Sequence, residues 1–125
     1  MQPLLIAVGD STPEVILDKS QNKFSFTGVS LPENVFEFYD PIIDWIKIYC
    51  NDPNPGTELH VNMSYFNTAS SKIILEIIAL FDSLSQKGKK VEIVWYYLEM
   101  DDDMRSTGKE FESMLTVPFK YISYV

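Results

Sequence analysis

Between Leu59 and Leu84 the hydrophobic pattern changes period within a few residues, and few folds accommodate that change. Leu59, Val61, Met63 and Tyr65 alternate with His60, Asn62 and Ser64. This period of two marks a strand that is apolar on one face and polar on the other. From about Ala69 to Lys87 the period becomes helical, with Ile73, Ile74, Ile77, Ile78, Phe81 and Leu84 in one stripe. The junction reads NTASSK, residues 67–72. The segment QKGKK closes the helix with cations and a glycine, which suit a helix C-terminus. A second strand, VEIVWYYL, follows at 91–98, with Val91, Ile93, Trp95 and Tyr97 on one face and Glu92, Val94 and Tyr96 on the other. A strand, a helix and a strand in direct succession predict parallel pairing through a right-handed crossover.

The rest of the chain extends this unit. Residues 4–8 read as a first strand. EVILD at 14–18 and KFSFTG at 23–28 flank the turn KSQN and read as a hairpin. Residues 32–50 read as helix in two pieces, because Asp40 before Pro41 has the form of an N-cap and a first helical residue. Behind it Ile42, Ile43, Ile46 and Tyr49 share a face, and PNPG ends the helix. A third helix is expected over about 102–115, and FKYISY makes a last strand. The order β-ββ-α-β-α-β-α-β predicts an α/β fold in a single small domain, residues 1–125, with a mixed, mostly parallel sheet. The half-polar strands place the helices mainly on one face and leave the other partly open.

Charge and composition narrow the function. Asp and Glu number 18 against 10 Lys and Arg, a net charge of −8. Such a domain repels phosphate backbones and anionic lipid, so no nucleic acid and no membrane is expected as a partner, and proteins are. Hydrophobic residues at 46% are enough for a core, which excludes a disordered chain. One cysteine, Cys50, cannot form an internal disulfide and fits the cytoplasm. The apolar run near the first residue is too short for a membrane span, and no basic residue precedes it as in a signal peptide.

Catalytic chemistry finds little support. His60 is the sole histidine and sits on the polar face of its strand, and no GxSxG elbow exists to serve it. Cys50 ends an apolar helix face without a histidine partner. Glu99, Asp101, Asp102, Asp103, Glu110 and Glu112 cluster in sequence, but a calcium loop begun at Asp101 would place Arg105 and Ser106 at its fifth and sixth positions. Acids at 101–103 read instead as the start of the third helix, with Glu99 to Asp103 as an acidic surface for a basic partner. No metal site, no phosphate-cradling glycine loop and no cofactor is expected.

The junction NTASSK is the most informative site. Asn67 or Thr68 can cap the helix that follows. Its first turn, however, holds Lys72 and no acid before Glu76. An electropositive helix start is suited to an anion. Thr68, Ser70 and Ser71 are also residue types that carry phosphate, which adds about −1.5 to −2 charge. Asn67, Ser70, Ser71 and Lys72 would surround it. Capping and regulatory phosphorylation both account for the composition of this segment.

Three stretches resemble the SiaC family of bacterial regulatory phosphoproteins: VNMSYFNTASSKIILEII at 61–78, VEIVWYYLEMDDDMRSTGKEFE at 91–112, and STPEVILDKSQNKFSFTGVSLPENVFEFYDPIIDWIKIY at 11–49. YFNTASSK and WYYLEMDDD are the most specific parts, while GKEFE is less acidic than the GEDF-like run of the family. The resemblance implies a STAS-like fold of the anti-anti-sigma kind and a domain that is not an enzyme. It implies a partner-switching circuit in which a histidine-kinase-like Ser/Thr kinase phosphorylates the protein and a PP2C-type phosphatase reverses this. The unphosphorylated form would bind and activate a diguanylate cyclase, raising cyclic-di-GMP. By motif position the phosphoacceptor is Thr68, with Ser70 and Ser71 matching the small residues after it. An anti-anti-sigma-type antagonist, or an adaptor indifferent to phosphate, is the alternative.

Overall fold

Each strand of the sheet pairs only with strands next to it in the chain, and that single fact sets the architecture. The computed structural model describes residues 1–125. Its elements are β1 (Leu4–Ile6), β2 (Glu14–Asp18), β3 (Lys23–Ser30), α1 (Val35–Asn51), β4 (Gly56–Phe66), α2 (Thr68–Gln86), β5 (Lys90–Leu98), α3 (Asp102–Ser113) and β6 (Phe119–Tyr124). The six strands lie in the order β1-β2-β3-β4-β5-β6. β1, β2 and β3 pair antiparallel; β3 to β6 pair parallel. Each parallel step is bridged by one helix. Right-handed crossovers that all advance in one direction put all three helices on one face.

The core fills that face. Phe24 and Phe26 of β3, Leu59, Val61 and Met63 of β4, and Val91, Ile93 and Trp95 of β5 join Ile42, Ile46, Tyr49, Ile77 and Phe81 in one buried cluster. The Trp45 and Tyr49 rings stack at 5.7 Å, and Phe24 meets Tyr49 at 4.8 Å and Phe81 at 5.9 Å. Each large side chain buried there stabilises the fold by roughly 1.5–3 kcal/mol. The other face carries Ser25, His60, Asn62 and Tyr96, all half-buried. Val94 on this face is nevertheless buried, flanked in the strand register by His60 and Lys120. No helix is long and apolar enough to cross a membrane.

Several boundaries differ from the sequence expectation. The first strand stops at Ile6 rather than Val8, β3 runs on to Ser30, and α3 ends at Ser113 rather than Leu115. The larger correction concerns α1, which is one helix through Pro41. Its cap is Asn34, whose side chain accepts from the Glu37 N–H at 3.1 Å, and Asp40 lies inside the helix. Pro41 removes the donor for the Glu37 carbonyl. Glu37 and Pro41 are both exposed, so water can replace it, while Tyr39, Ile42, Ile43 and Trp45 are buried on the opposite side and hold both halves to the sheet. Packing outweighs the local break.

Two glycines have backbone roles. Gly88, at φ 85°, ends α2. Its N–H donates to the Ser85 carbonyl at 3.1 Å and that of Lys89 to Leu84 at 3.0 Å, a Schellman closure. Gly28, at φ 122°, marks a bulge: Gly28 opposes Met63, but Val29 opposes Tyr65. β4 therefore carries one extra residue, Ser64. Ser64 and Tyr65 both face solvent, and the inward phase resumes at Phe66 opposite Ser30.

Candidate functional site: the start of the second helix

In this topology all three helices begin at the C-terminal ends of the strands, where open α/β sheets present their sites. The three starts differ in charge. α1 has Asn34 as cap and Glu37 in its first turn. α3 has Asp101 as cap, accepting from the Met104 N–H at 2.9 Å, with Asp102 and Asp103 behind it. α2 alone has no acid in its first turn. Asn67 caps it, taking the Ser70 N–H at 2.9 Å, while its own N–H donates to the Ser30 carbonyl at 3.2 Å. The N–H groups of Thr68 and Ala69 are left without intrahelical acceptors.

The first turn of α2 is fastened from beneath by a chain of hydroxyls. Ser30 and Ser70 are fully buried, as is Tyr39. Ser70 Oγ donates to the Ser30 carbonyl at 3.1 Å, and Ser30 Oγ donates to Ser70 Oγ at 2.8 Å. Each serine has one proton, so Tyr39 must donate to Ser30 Oγ, 2.7 Å away. Burial pushes the Tyr39 phenol up to about 12. Ends of β3, α1 and α2 are thereby joined in a dry pocket, where a satisfied network rigidifies.

The three candidate hydroxyls therefore stand in different places. Thr68 is exposed, Ser71 is half-buried, and Ser70 is enclosed in the hydroxyl chain. Lys72, one turn on from Thr68, is exposed and makes no ion pair; the ion pairs are Lys19–Asp52, His60–Glu58 and Lys109–Glu112. Asn67 is half-buried as the cap. Glu99, Asp102 and Asp103 are exposed at the neighbouring helix start, and Asp101 is spent on capping. No hydrogen bond joins that cluster to Thr68. Exposed apolar side chains share this end of the sheet: Leu31, next to Ser30, Tyr65, two residues before the cap, Leu98, the last residue of β5, and Met100 beyond it.

Sequence reasoning missed Ser30, Tyr39 and the bulge that turns out Tyr65. A signal existed for Ser30, which occupies an inward position in the same phase as Phe24 and Phe26. The other chemical candidates have structural partners. His60 Nδ1 lies 2.9 Å from the Tyr96 hydroxyl and Nε2 3.2 Å from Glu58. The one buried carboxylate, Asp82, accepts from the Val117 N–H at 2.7 Å and the Thr116 hydroxyl at 2.8 Å, and so anchors the loop before β6. Burial pushes the Cys50 thiol up, with Lys87 and Ser83 opposing it. No three His, Cys, Asp or Glu side chains converge as metal ligands.

The structure is thus a small α/β domain with all three helices on one face of the sheet and an acid-free, hydroxyl-bearing helix start at the C-terminal ends of its strands. The chain belongs to the SiaC family of regulatory phosphoproteins, whose profile matches residues 6–124. It is 30% identical over 119 residues to an uncharacterised protein of Pseudomonas aeruginosa, covering 95% of this chain and 94% of that one. It superposes on SiaC of Pseudomonas aeruginosa with a TM-score of 0.89 at 29% identity, over 99% of this chain and 100% of that one. It is equally similar to SiaC in the crystal structure of the Pseudomonas aeruginosa diguanylate cyclase SiaD in complex with its activator SiaC: TM-score 0.90, 29% identity, 97% of this chain and 99% of the other.

Proposed function

We propose that this chain is a non-catalytic activator of a diguanylate cyclase, and that phosphate on Thr68 switches its binding off. The observation that carries the reading is the exposure of Thr68 at the one helix start without an acid, on a chain so similar to a cyclase-bound activator. A histidine-kinase-like Ser/Thr kinase transfers the γ-phosphoryl group of ATP to Thr68 Oγ1, and a PP2C-type phosphatase hydrolyses it. This circuit operates in the cytoplasm, where its nucleotide substrates are.

The geometry supports a tolerated phosphate. The open N–H groups of Thr68 and Ala69 lie within the first turn, where a negative group gains roughly 0.3–1 kcal/mol from the helix dipole, and exposed Lys72 follows one turn on. Ser70, held in its buried chain, offers the kinase no hydroxyl at the surface. The modification acts on the surface instead. It sets about −1.5 to −2 charge among Leu31, Tyr65 and the other exposed apolar groups of this end, and a partner covering them would have to desolvate it.

Incubation with the kinase and ATP, followed by intact mass and site mapping, should find one phosphate, on Thr68. Calorimetric titration with the cyclase should then show binding by the unmodified protein and at least about a hundredfold weaker binding by the phosphoprotein, the loss of close to 3 kcal/mol expected for an uncompensated buried charge. Equal affinity of the two forms would replace this reading with a phosphate-indifferent adaptor.

A further inference from the structure

The first residues of α2 are tied to the sheet by a closed ring of three hydrogen bonds. The Ser30 carbonyl, at the end of β3, accepts the Asn67 N–H at 3.2 Å and the Ser70 hydroxyl at 3.1 Å, so both of its lone pairs are used. The Asn67 side chain accepts the Ser70 N–H at 2.9 Å and closes the ring. Ser30 Oγ, and behind it the Tyr39 hydroxyl, hold Ser70 Oγ from the buried side. Thr68 and Ala69 are the two residues spanned between the anchors, and both are exposed. The other helix starts lack this device. Their third residues, Glu37 in α1 and Met104 in α3, also give their N–H to the cap side chain, but neither returns a side-chain bond to the sheet.

Stability alone does not call for this ring. A fully buried serine must satisfy its hydroxyl, whereas alanine has nothing to satisfy and the better helix propensity. What the ring adds is a fixed geometry for the two residues it spans. We propose that Ser70, through this ring, is a positioning residue of the phosphorylation switch: it presents Thr68 to the kinase as a preformed helix start and keeps the neighbouring hydroxyls out of the reaction. The proposal rests on Thr68 being the acceptor. In the transfer, Thr68 Oγ1 bonds to the γ-phosphorus of ATP, the bond from that phosphorus to the β–γ bridging oxygen breaks, ADP leaves, and the hydroxyl proton passes to a base of the kinase. Such a step needs the attacking oxygen held in line, and a displacement of about 1 Å can cost about a hundredfold in rate. The Thr68 hydroxyl enters none of the bonds of the ring, while its backbone is fixed on both sides. Ser70 is consumed by the ring. Ser71 is half-buried, with its N–H bonded to the Asn67 carbonyl at 2.9 Å.

Steady-state phosphorylation of the full chain by the histidine-kinase-like Ser/Thr kinase, with ATP saturating and the sites mapped by mass spectrometry, tests this. In Ser70→Ala the ring is open: kcat/KM at Thr68 should fall at least about tenfold, and part of the phosphate should move to Ser71. Thr57→Ala is the matched control. It deletes a buried hydroxyl, 2.7 Å from that of Tyr49, at the opposite end of β4. Its melting temperature should drop comparably, yet it should be phosphorylated within about twofold of the parent, on Thr68 only, because the two sites are independent. Parental kinetics of Ser70→Ala, on Thr68 alone, would overturn the proposal and leave the switch intact. Equal slowing of both variants would also overturn it, since lost stability would then be the cause. A parent that takes no phosphate on Thr68 would overturn the switch itself and this proposal with it. Amide exchange of the unaltered chain needs no variant: Ser70 should exchange more slowly than Glu37, its counterpart in α1, and equal rates would show that the ring does not hold.

Discussion

Thr68 and Ser70 are two residues apart and occupy opposite environments, which gives the clearest test of the site. Thr68→Asp adds a carboxylate to an exposed, electropositive turn and should change stability by less than about 1 kcal/mol, in the stabilising direction. Ser70→Asp forces a carboxylate into the dry chain of Ser30 and Tyr39 and should cost about 3–5 kcal/mol. Urea melts of the two proteins distinguish these outcomes, and comparable losses would show Thr68 to be structural. Tyr39 adds a pH dependence. Its phenol rises from 10.0 to about 12 on folding. The folded state therefore holds this proton more tightly, and the stabilisation is whole below pH 10 and fades as pH rises towards 12. Tyr39→Phe should cost about 1 kcal/mol at neutral pH and flatten the alkaline loss of stability. Part of the slope should survive through Tyr121, which burial and its bond to Glu112 also push up. The start of α2 was legible in the sequence because its cue is local, a run of small polar residues between two periodicities. The Ser30–Ser70 contact was not, because it joins residues 40 apart and depends on how three elements meet.

At the scale of elements, strands and helices were legible wherever one periodicity ran long enough, as in β4, α2 and β5. The break at Pro41 was overread, because the burial that overrides it comes from the sheet and not from the helix. Pro41→Ala restores a backbone donor at an exposed position and should raise stability by about 1–3 kcal/mol. A higher urea midpoint with an unchanged slope is the expected result. Gly108 is the converse case. It reads as a flaw in α3, yet a Cβ built there would lie 2.7 Å from Trp95 Nε1 and 2.8 Å from Cδ1 and Cε2. Trp95 has no room to move: it is fully buried, and its Nε1 donates to the Met104 carbonyl at 3.0 Å. Gly108→Ala should therefore destabilise by about 1–3 kcal/mol, despite alanine's better helix propensity, and indole fluorescence should report the displaced ring.

Across the whole molecule the sheet is unevenly secured. β3, β4 and β5 each have a partner on both sides and the core above them, whereas β1 is three residues long at an edge. Amide exchange should accordingly reach the global unfolding free energy in β3–β5 and proceed through local opening in β1; equal protection of β1 would contradict this. The strand order carries a further consequence, for the making of the protein. No strand waits for a distant one, since each docks beside the strand that left the ribosome just before it. Once Gln86 has emerged, β1–β4, α1 and α2 are all present, and with them every member of the hydroxyl chain that fastens the start of α2. The start of α2 and the hydroxyl chain beneath it can thus be assembled while about the last third of the chain is still being translated.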